Sequence, residues 1–221
     1  MPEWLTRYAR PREGWLALAL LLVMLLSVSW SVQRADWLSQ LELLVPVAFY
    51  AAVLGAVLGL TSLSVVAVLP ISAVMGAGIV LWATAGEYYP ALDQLHRQLA
   101  VRTEVIDWVR IIADRGYGPQ LVPYAIGLGA LMWGTSFIAA YTIYRHHRVL
   151  DAILLVGAVL LVNMSATYTD LFFYLVLFVL AALLLWLRAA LVGREEGWQR
   201  RRVSENSEVP AAVMRSGVGN E

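Results

Sequence analysis

The chain has little charge, and it lacks cysteine and lysine altogether. None of its 221 residues is cysteine, which excludes disulfides, thiolate metal sites and cysteine nucleophiles. All 16 basic residues are arginine, which excludes Schiff-base chemistry through lysine and the lysine of a phosphate-binding loop. The charged residues, 14% of the chain, sum to zero net charge, so no global field attracts nucleic acid. We therefore predict no nucleic-acid partner.

Apolar residues are abundant, at 60% of the chain against about 45–50% in soluble domains. They form six stretches of about 20 residues, the length that a hydrocarbon core of about 30 Å requires of a helix. The stretches are Gly14–Val32, Leu43–Leu60, Leu63–Ala85, Leu121–Tyr144, Val149–Tyr168 and Leu171–Val192. Backbone groups in lipid must be paired within the segment, so these stretches favour helices. The sequence predicts an all-α polytopic membrane protein, a six-helix transmembrane bundle over residues 14–192.

Arginine placement predicts the orientation of this bundle, because cytoplasmic loops carry an excess of arginine. Three groups would share one face: Arg7, Arg10 and Arg12; Arg145 and Arg148; Arg194 and Arg200–Arg202. We predict a bacterial cytoplasmic (inner) membrane protein with a cytoplasmic N-terminus (1–13) and a cytoplasmic, partly disordered tail (193–221). The first apolar stretch is long enough to be a retained helix rather than a cleaved signal peptide.

The segment 86–120, between the third and fourth stretches, has a different pattern. Its apolar residues recur at helical spacing with charges between them: Leu92, Leu95, Leu99, Ile106, Val109 and Ala113. This pattern is typical of amphipathic helices. We predict one or two such helices on the extracytoplasmic side, lying on the membrane surface or capping the bundle.

A few residues inside the apolar stretches could carry a function. Gly55 and Gly59 form a GxxxG pattern, which allows close helix approach within the bundle or to another subunit. Pro70 could kink the third helix and line a cavity, although packed kinks are commoner. Asn163 is the most polar residue within a stretch, and an interhelical hydrogen bond is its simplest interpretation.

The basic turn Arg145, His146, His147 and Arg148 is the only candidate group of residues for an enzyme active site. With Asp151 it could serve an enzyme at the membrane interface. Two neighbouring histidines on a turn need a further ligand to hold a metal, so we interpret the turn as facing lipid headgroups. The sequence predicts no catalytic residue, no metal site and no cofactor, and a bound lipid or pigment remains an open alternative.

Four short patterns border or interrupt the apolar stretches: RPREGW at 10–15, SWSVQRADW at 29–37, LVNMS at 161–165 and REEGWQRRRV at 194–203. Together they resemble the N-terminal membrane domain of bacterial transglutaminase-like proteins of the TgpA type. In that family a further span leads to an extracytoplasmic domain with a Cys/His/Asp triad. No catalytic residue carries over, because this chain has no cysteine. The resemblance implies a membrane anchor or scaffold, whether as a truncated relative, a fragment or a membrane domain used alone.

Two functions follow as expectations. The first is a non-catalytic anchor or scaffold, a subunit of a larger membrane assembly with a protein partner as well as the lipid bilayer. The alternative is a transporter or channel for a small, weakly polar or lipid-like substrate. Against it, the apolar stretches have no charge near the membrane midplane, where coupled transporters commonly place one.

Overall fold

The apolar stretches of the sequence are helices. The computed structural model of the protein describes residues 14–38, 40–114 and 121–192, and these contain seven α-helices and no strand. The helices are α1 (Gly14–Arg34), α2 (Leu44–Leu60), α3 (Val65–Tyr88), α4 (Gln94–Ala113), α5 (Leu121–His146), α6 (Val149–Ala166) and α7 (Phe172–Val192). The all-α prediction is confirmed for the described residues. The predicted cytoplasmic N-terminus and tail lie outside them.

Five of these helices are long and apolar enough to cross a membrane, namely α1, α3, α5, α6 and α7. They fit a multi-pass membrane protein. Helix α2 is apolar but has 17 residues, about 25 Å at about 1.5 Å per residue, slightly less than a hydrocarbon core. The predicted second stretch is therefore helical, but it is the shortest of the apolar helices.

Helices α2 and α5 form the centre of the fold, and they run in the same direction. A Cβ atom built on Gly129 of α5 would lie 3.1 Å from Leu43, at the start of α2. One built on Gly59, near the end of α2, would lie 2.9 Å from Cβ of Tyr144, near the end of α5. Small residues predominate where the two helices meet, which allows the close approach.

The remaining apolar helices surround this pair and differ in how much of each is covered. In the most apolar part of α1, 50% of the residues are buried, against 22% in α3 and in α7. Large apolar side chains such as Val66, Val74, Phe173 and Leu187 are exposed. An apolar side chain in contact with lipid needs no protein cover, so these faces suit a bilayer as their solvent.

The amphipathic segment is one helix, α4, followed by residues outside the described part. Of its 20 residues only Val101 is buried, where it packs with Ala85 of α3 and Val122 of α5 in a small second core. A second apolar stripe lies on the outward face and is exposed: Leu95, Leu99, Ile106 and Val109. Helix α4 therefore has two apolar faces and uses one of them to contact the rest of the chain.

Candidate functional site

Asn163 joins three parts of the chain at the end of the bundle where α1 and α6 terminate. Its Nδ2 donates a hydrogen bond to Oγ of Ser31 in α1, at 3.1 Å. Its Oδ1 accepts one from Nε1 of Trp37, in the turn after α1, at 2.9 Å. The side chain is 7% exposed, so these bonds satisfy a polar group that would otherwise be costly to bury. The amide retains one further N–H and one further lone pair.

An apolar cleft of about 440 Å³ opens beside Asn163, between α5 and α6. Val32, Trp37 and Leu44 line it where α1 ends and α2 begins, and Met132, Thr135 and Leu155 line the part deeper in the bundle. Nearly all of the lining is aliphatic, with Asn163, Thr135 and the indole of Trp37 as the polar exceptions. The volume lies within the usual range of ligand sites, about 300–1,000 Å³.

The glycine pattern of α2 lies against α5. A Cβ on Gly55 would stand 2.6 Å from the carbonyl oxygen of Phe137, closer than side-chain atoms come to backbone. Gly59 has the similar contact with Tyr144 described above. The structure thus places both glycines within the bundle, where only a residue without a side chain fits.

Pro70 lies on an exposed face of α3, which continues as a helix through it. It does not line the apolar cleft between α5 and α6. Pro70 is in the second turn of the helix, so its missing N–H and ring affect only the helix start. The structure therefore does not bring Pro70 and Asn163 together.

The basic turn has two parts with different surroundings. The guanidinium of Arg145 is partly buried and donates to the carbonyl oxygen of Thr61 at 2.6 Å, which ties the α2–α3 turn to the end of α5. His146, His147 and Arg148 are exposed, and Arg148 forms an ion pair of 2.8 Å with Asp151 in the first turn of α6. Arg145 therefore connects two elements of the bundle, whereas the side chains of its neighbours are exposed.

Glu87 has a role that the sequence pattern did not indicate. It lies near the end of α3, and its carboxylate accepts hydrogen bonds from the backbone N–H groups of Glu42 and Leu43, the former at 2.7 Å. Both N–H groups lie just before Leu44, the first residue of α2, and have no partner within the helix. A negative charge also suits the positive end of the helix dipole. Glu87 thus caps α2 from a neighbouring helix, which no local motif of the sequence could reveal.

Tyr89 connects the end of α3 to α4. Its hydroxyl donates a hydrogen bond to the carboxylate of Glu104. Burial, then this hydrogen bond, and then the charge of Glu104 raise the pKa of Tyr89 to about 12. Because the carboxylate of Glu104 accepts a hydrogen bond from the phenol, ionisation of the phenol would replace that bond with a repulsion between two negative charges.

Within the described ranges, no three histidine, aspartate or glutamate residues come close enough to hold a metal ion. The chain matches no family model, no curated protein and no solved structure. The resemblance to transglutaminase-like membrane domains therefore remains a prediction. The apolar cleft with Asn163 at one end is the candidate binding site that these contacts define.

Proposed function

We propose that the protein is a non-catalytic membrane anchor or scaffold in the bacterial cytoplasmic membrane, acting as a subunit of a larger assembly. The observation that carries this proposal is α4, a helix with a second apolar face that no described part of the chain covers. The exposed apolar faces of the other helices support the proposal, because contact with lipid would anchor the protein in the membrane. The resemblance to the membrane domain of transglutaminase-like proteins agrees with it.

The proposed topology has six spans, with α2 among them and both termini in the cytoplasm. The parallel packing of α2 along α5 supports a crossing by α2, because α2 follows this long apolar helix from Gly129 to Tyr144, near its end. In this topology α4 lies on the extracytoplasmic side, and the basic turn at 145–148 lies in the cytoplasm.

Single cysteines test this topology cleanly, because the chain has none of its own. Ser62→Cys, in the α2–α3 turn, and Thr169→Cys, between α6 and α7, replace exposed residues. In intact spheroplasts, a membrane-impermeant maleimide should label Thr169→Cys and spare Ser62→Cys until the membrane is permeabilised. Labelling of Ser62→Cys in intact spheroplasts would show that α2 does not cross the membrane and would contradict the six-span topology.

The partner is proposed to bind the outward stripe of α4 (Leu95, Leu99, Ile106 and Val109). The protein should co-purify in mild detergent with a partner at a fixed stoichiometry, identified by mass spectrometry. The double variant Leu99→Asn and Val109→Asn should release that partner by removing apolar contact area. Ile112→Asn, the same kind of change at an exposed position of α4 outside the stripe, is the matched control and should retain it. A chain that purifies alone under these conditions contradicts the scaffold function.

A transporter or channel for a lipid-like substrate is the second candidate, and the apolar cleft is the observation that favours it. Reconstitution into vesicles separates the two functions. Protein-dependent movement of a fluorescent phospholipid between leaflets, abolished by filling the cleft at Ala158 with phenylalanine, would establish transport. An unchanged rate relative to empty vesicles would leave the scaffold function as the one to pursue.

A further inference from the structure

We propose that the apolar cleft between α5 and α6 is a binding site for one acyl chain of a glycerophospholipid from the extracytoplasmic leaflet. The ester end of that chain would lie at Asn163 and Trp37. This site depends on the membrane placement proposed above, but not on the scaffold function.

The position of the cleft along the helices points to a single leaflet. Helices α5 and α6 are joined by the turn at 146–149, and the cleft lies in the part of the pair remote from that turn. On α6 it extends from Leu155 to Ala166, the last helical residue, which is about 16 Å at about 1.5 Å per residue. Half of a hydrocarbon core of about 30 Å is about 15 Å, so the cleft matches one leaflet in depth.

The walls of the cleft have the chemistry of an acyl-chain site. Its rim includes Leu131 and Val162, which are 70% and 66% exposed and would face lipid directly. Its floor includes Leu44 and Met132, which are buried. In a bilayer, the molecules next to such an opening are lipid chains, and a chain is the occupant whose length and polarity fit it.

The polar atoms lie at the end where a lipid ester would lie. Asn163 is three residues from the end of α6, which places it close to the membrane interface in this topology. After its bonds to Ser31 and Trp37, the amide still has one N–H for an ester carbonyl oxygen. Trp37 follows α1 with its ring half exposed, as is usual for tryptophan at the interface.

Native mass spectrometry of the full chain, reconstituted with phosphatidylethanolamine and phosphatidylglycerol and released in mild detergent, tests the site. The wild type should retain one phospholipid per chain. Ala158→Phe, which fills the cleft from an exposed position, should lower the lipid-bound fraction at least tenfold. Ala77→Phe makes the same change on an exposed face of α3 and should retain the lipid as the wild type does. No retained phospholipid in the wild type, or equal retention in both variants, would overturn the proposal.

Photocrosslinking of the unmodified protein provides a measurement that does not depend on a variant. A phospholipid with a diazirine in its acyl chain should label Leu131, Thr135 and Val162 several-fold more than Val74 of α3, which is as exposed as Leu131 and Val162. Uniform labelling of all exposed positions would overturn the proposed lipid site. A pigment, a quinone or a second protein chain found in the cleft would also overturn it. If the protein retains the phospholipid but co-purifies with no partner, the scaffold function is contradicted and the lipid site is not.

Discussion

Helices α2 and α3 follow each other in the chain and have similar apolar, glycine-containing sequences. They differ in how much of each helix is buried by the rest of the protein. Helix α2 packs along α5, with nine buried residues among its 17. Helix α3 is longer, and its most apolar part is 22% buried. Two glycines show the contrast, whereas Gly76 of α3 is tightly packed, with Trp133 2.5 Å from where its Cβ would be. A Cβ on Gly55 of α2 would meet the backbone of α5 at 2.6 Å, whereas one on Gly78 of α3 would meet nothing within 4 Å. Apolar composition places a helix in the membrane, but it does not tell which helix is central.

The largest expected effect comes from exchanging these glycines for alanine. Gly55→Ala forces α2 and α5 apart, and overpacking of this kind typically costs about 1–3 kcal/mol. Gly78→Ala should be neutral or stabilising by up to about 1 kcal/mol, because alanine favours a helix and the position is open. Thermal unfolding in detergent, followed by circular dichroism, measures both. Equal melting temperatures for the two variants would break the distinction between α2 and α3.

A second prediction extends the comparison to the two faces of α6. Asn163→Leu removes the bonds to Ser31 and Trp37, and membrane hydrogen bonds are commonly worth about 0.6–2 kcal/mol. The matched control is Ser165→Ala, because the exposed hydroxyl of Ser165 bonds only within its own helix, to Val162. Only the first variant should lower the free energy of unfolding, which thermal unfolding in detergent measures. Equal losses in both variants would contradict the role of Asn163.

The third prediction concerns Glu87 of α3, which caps the start of α2. Glu87→Gln removes the charge and leaves one acceptor oxygen for the two N–H groups, which should cost about 1 kcal/mol, as loss of a helix cap does. Glu42→Gln changes an exposed neighbour and should not destabilise the fold. Hydrogen exchange at the start of α2 should rise in Glu87→Gln alone. Exchange that stays at the wild-type rate would show that α2 needs no cap from its neighbour.

The smallest effect concerns the contact between α3 and α4, and it is a dependence on pH. The folded protein holds the pKa of Tyr89 at about 12, above the ordinary value of about 10. Between these values the unfolded chain loses the phenolic proton and the folded chain keeps it, so stability should fall as pH rises from 10 to 12. Tyr89→Phe should show a weaker fall in melting temperature over this range. Tyr168→Phe, a change at a fully exposed position, should follow the wild type.

The sequence was informative about elements and weak about contacts. The apolar stretches predicted the helices to within a few residues, and the structure has five of the six long enough to span a membrane. The outer segment was predicted as one or two amphipathic helices and contains one, α4, over its described part. The scaffold function, the six-span topology and the family resemblance remain predictions.

The contacts of the candidate site could not be predicted, because its parts are far apart in the chain. Asn163 stood out as a polar residue in an apolar helix, but its partners Ser31 and Trp37 lie well over a hundred residues away. Nothing in the sequence distinguished Glu87 from the other acidic residues of the outer segment. The cleft has no sequence signal at all, since aliphatic residues line it as they cover every other apolar surface of the chain.

The amino-acid sequence by itself determined that this chain forms long apolar helices, because backbone pairing and hydrophobic length are properties of each segment alone. The tertiary structure alone decided which helix is central, which glycines are indispensable and where the bundle leaves an opening. The physical reason is that side chains of equal polarity are distinguished only by their shape, and shape acts through neighbours that the fold brings together.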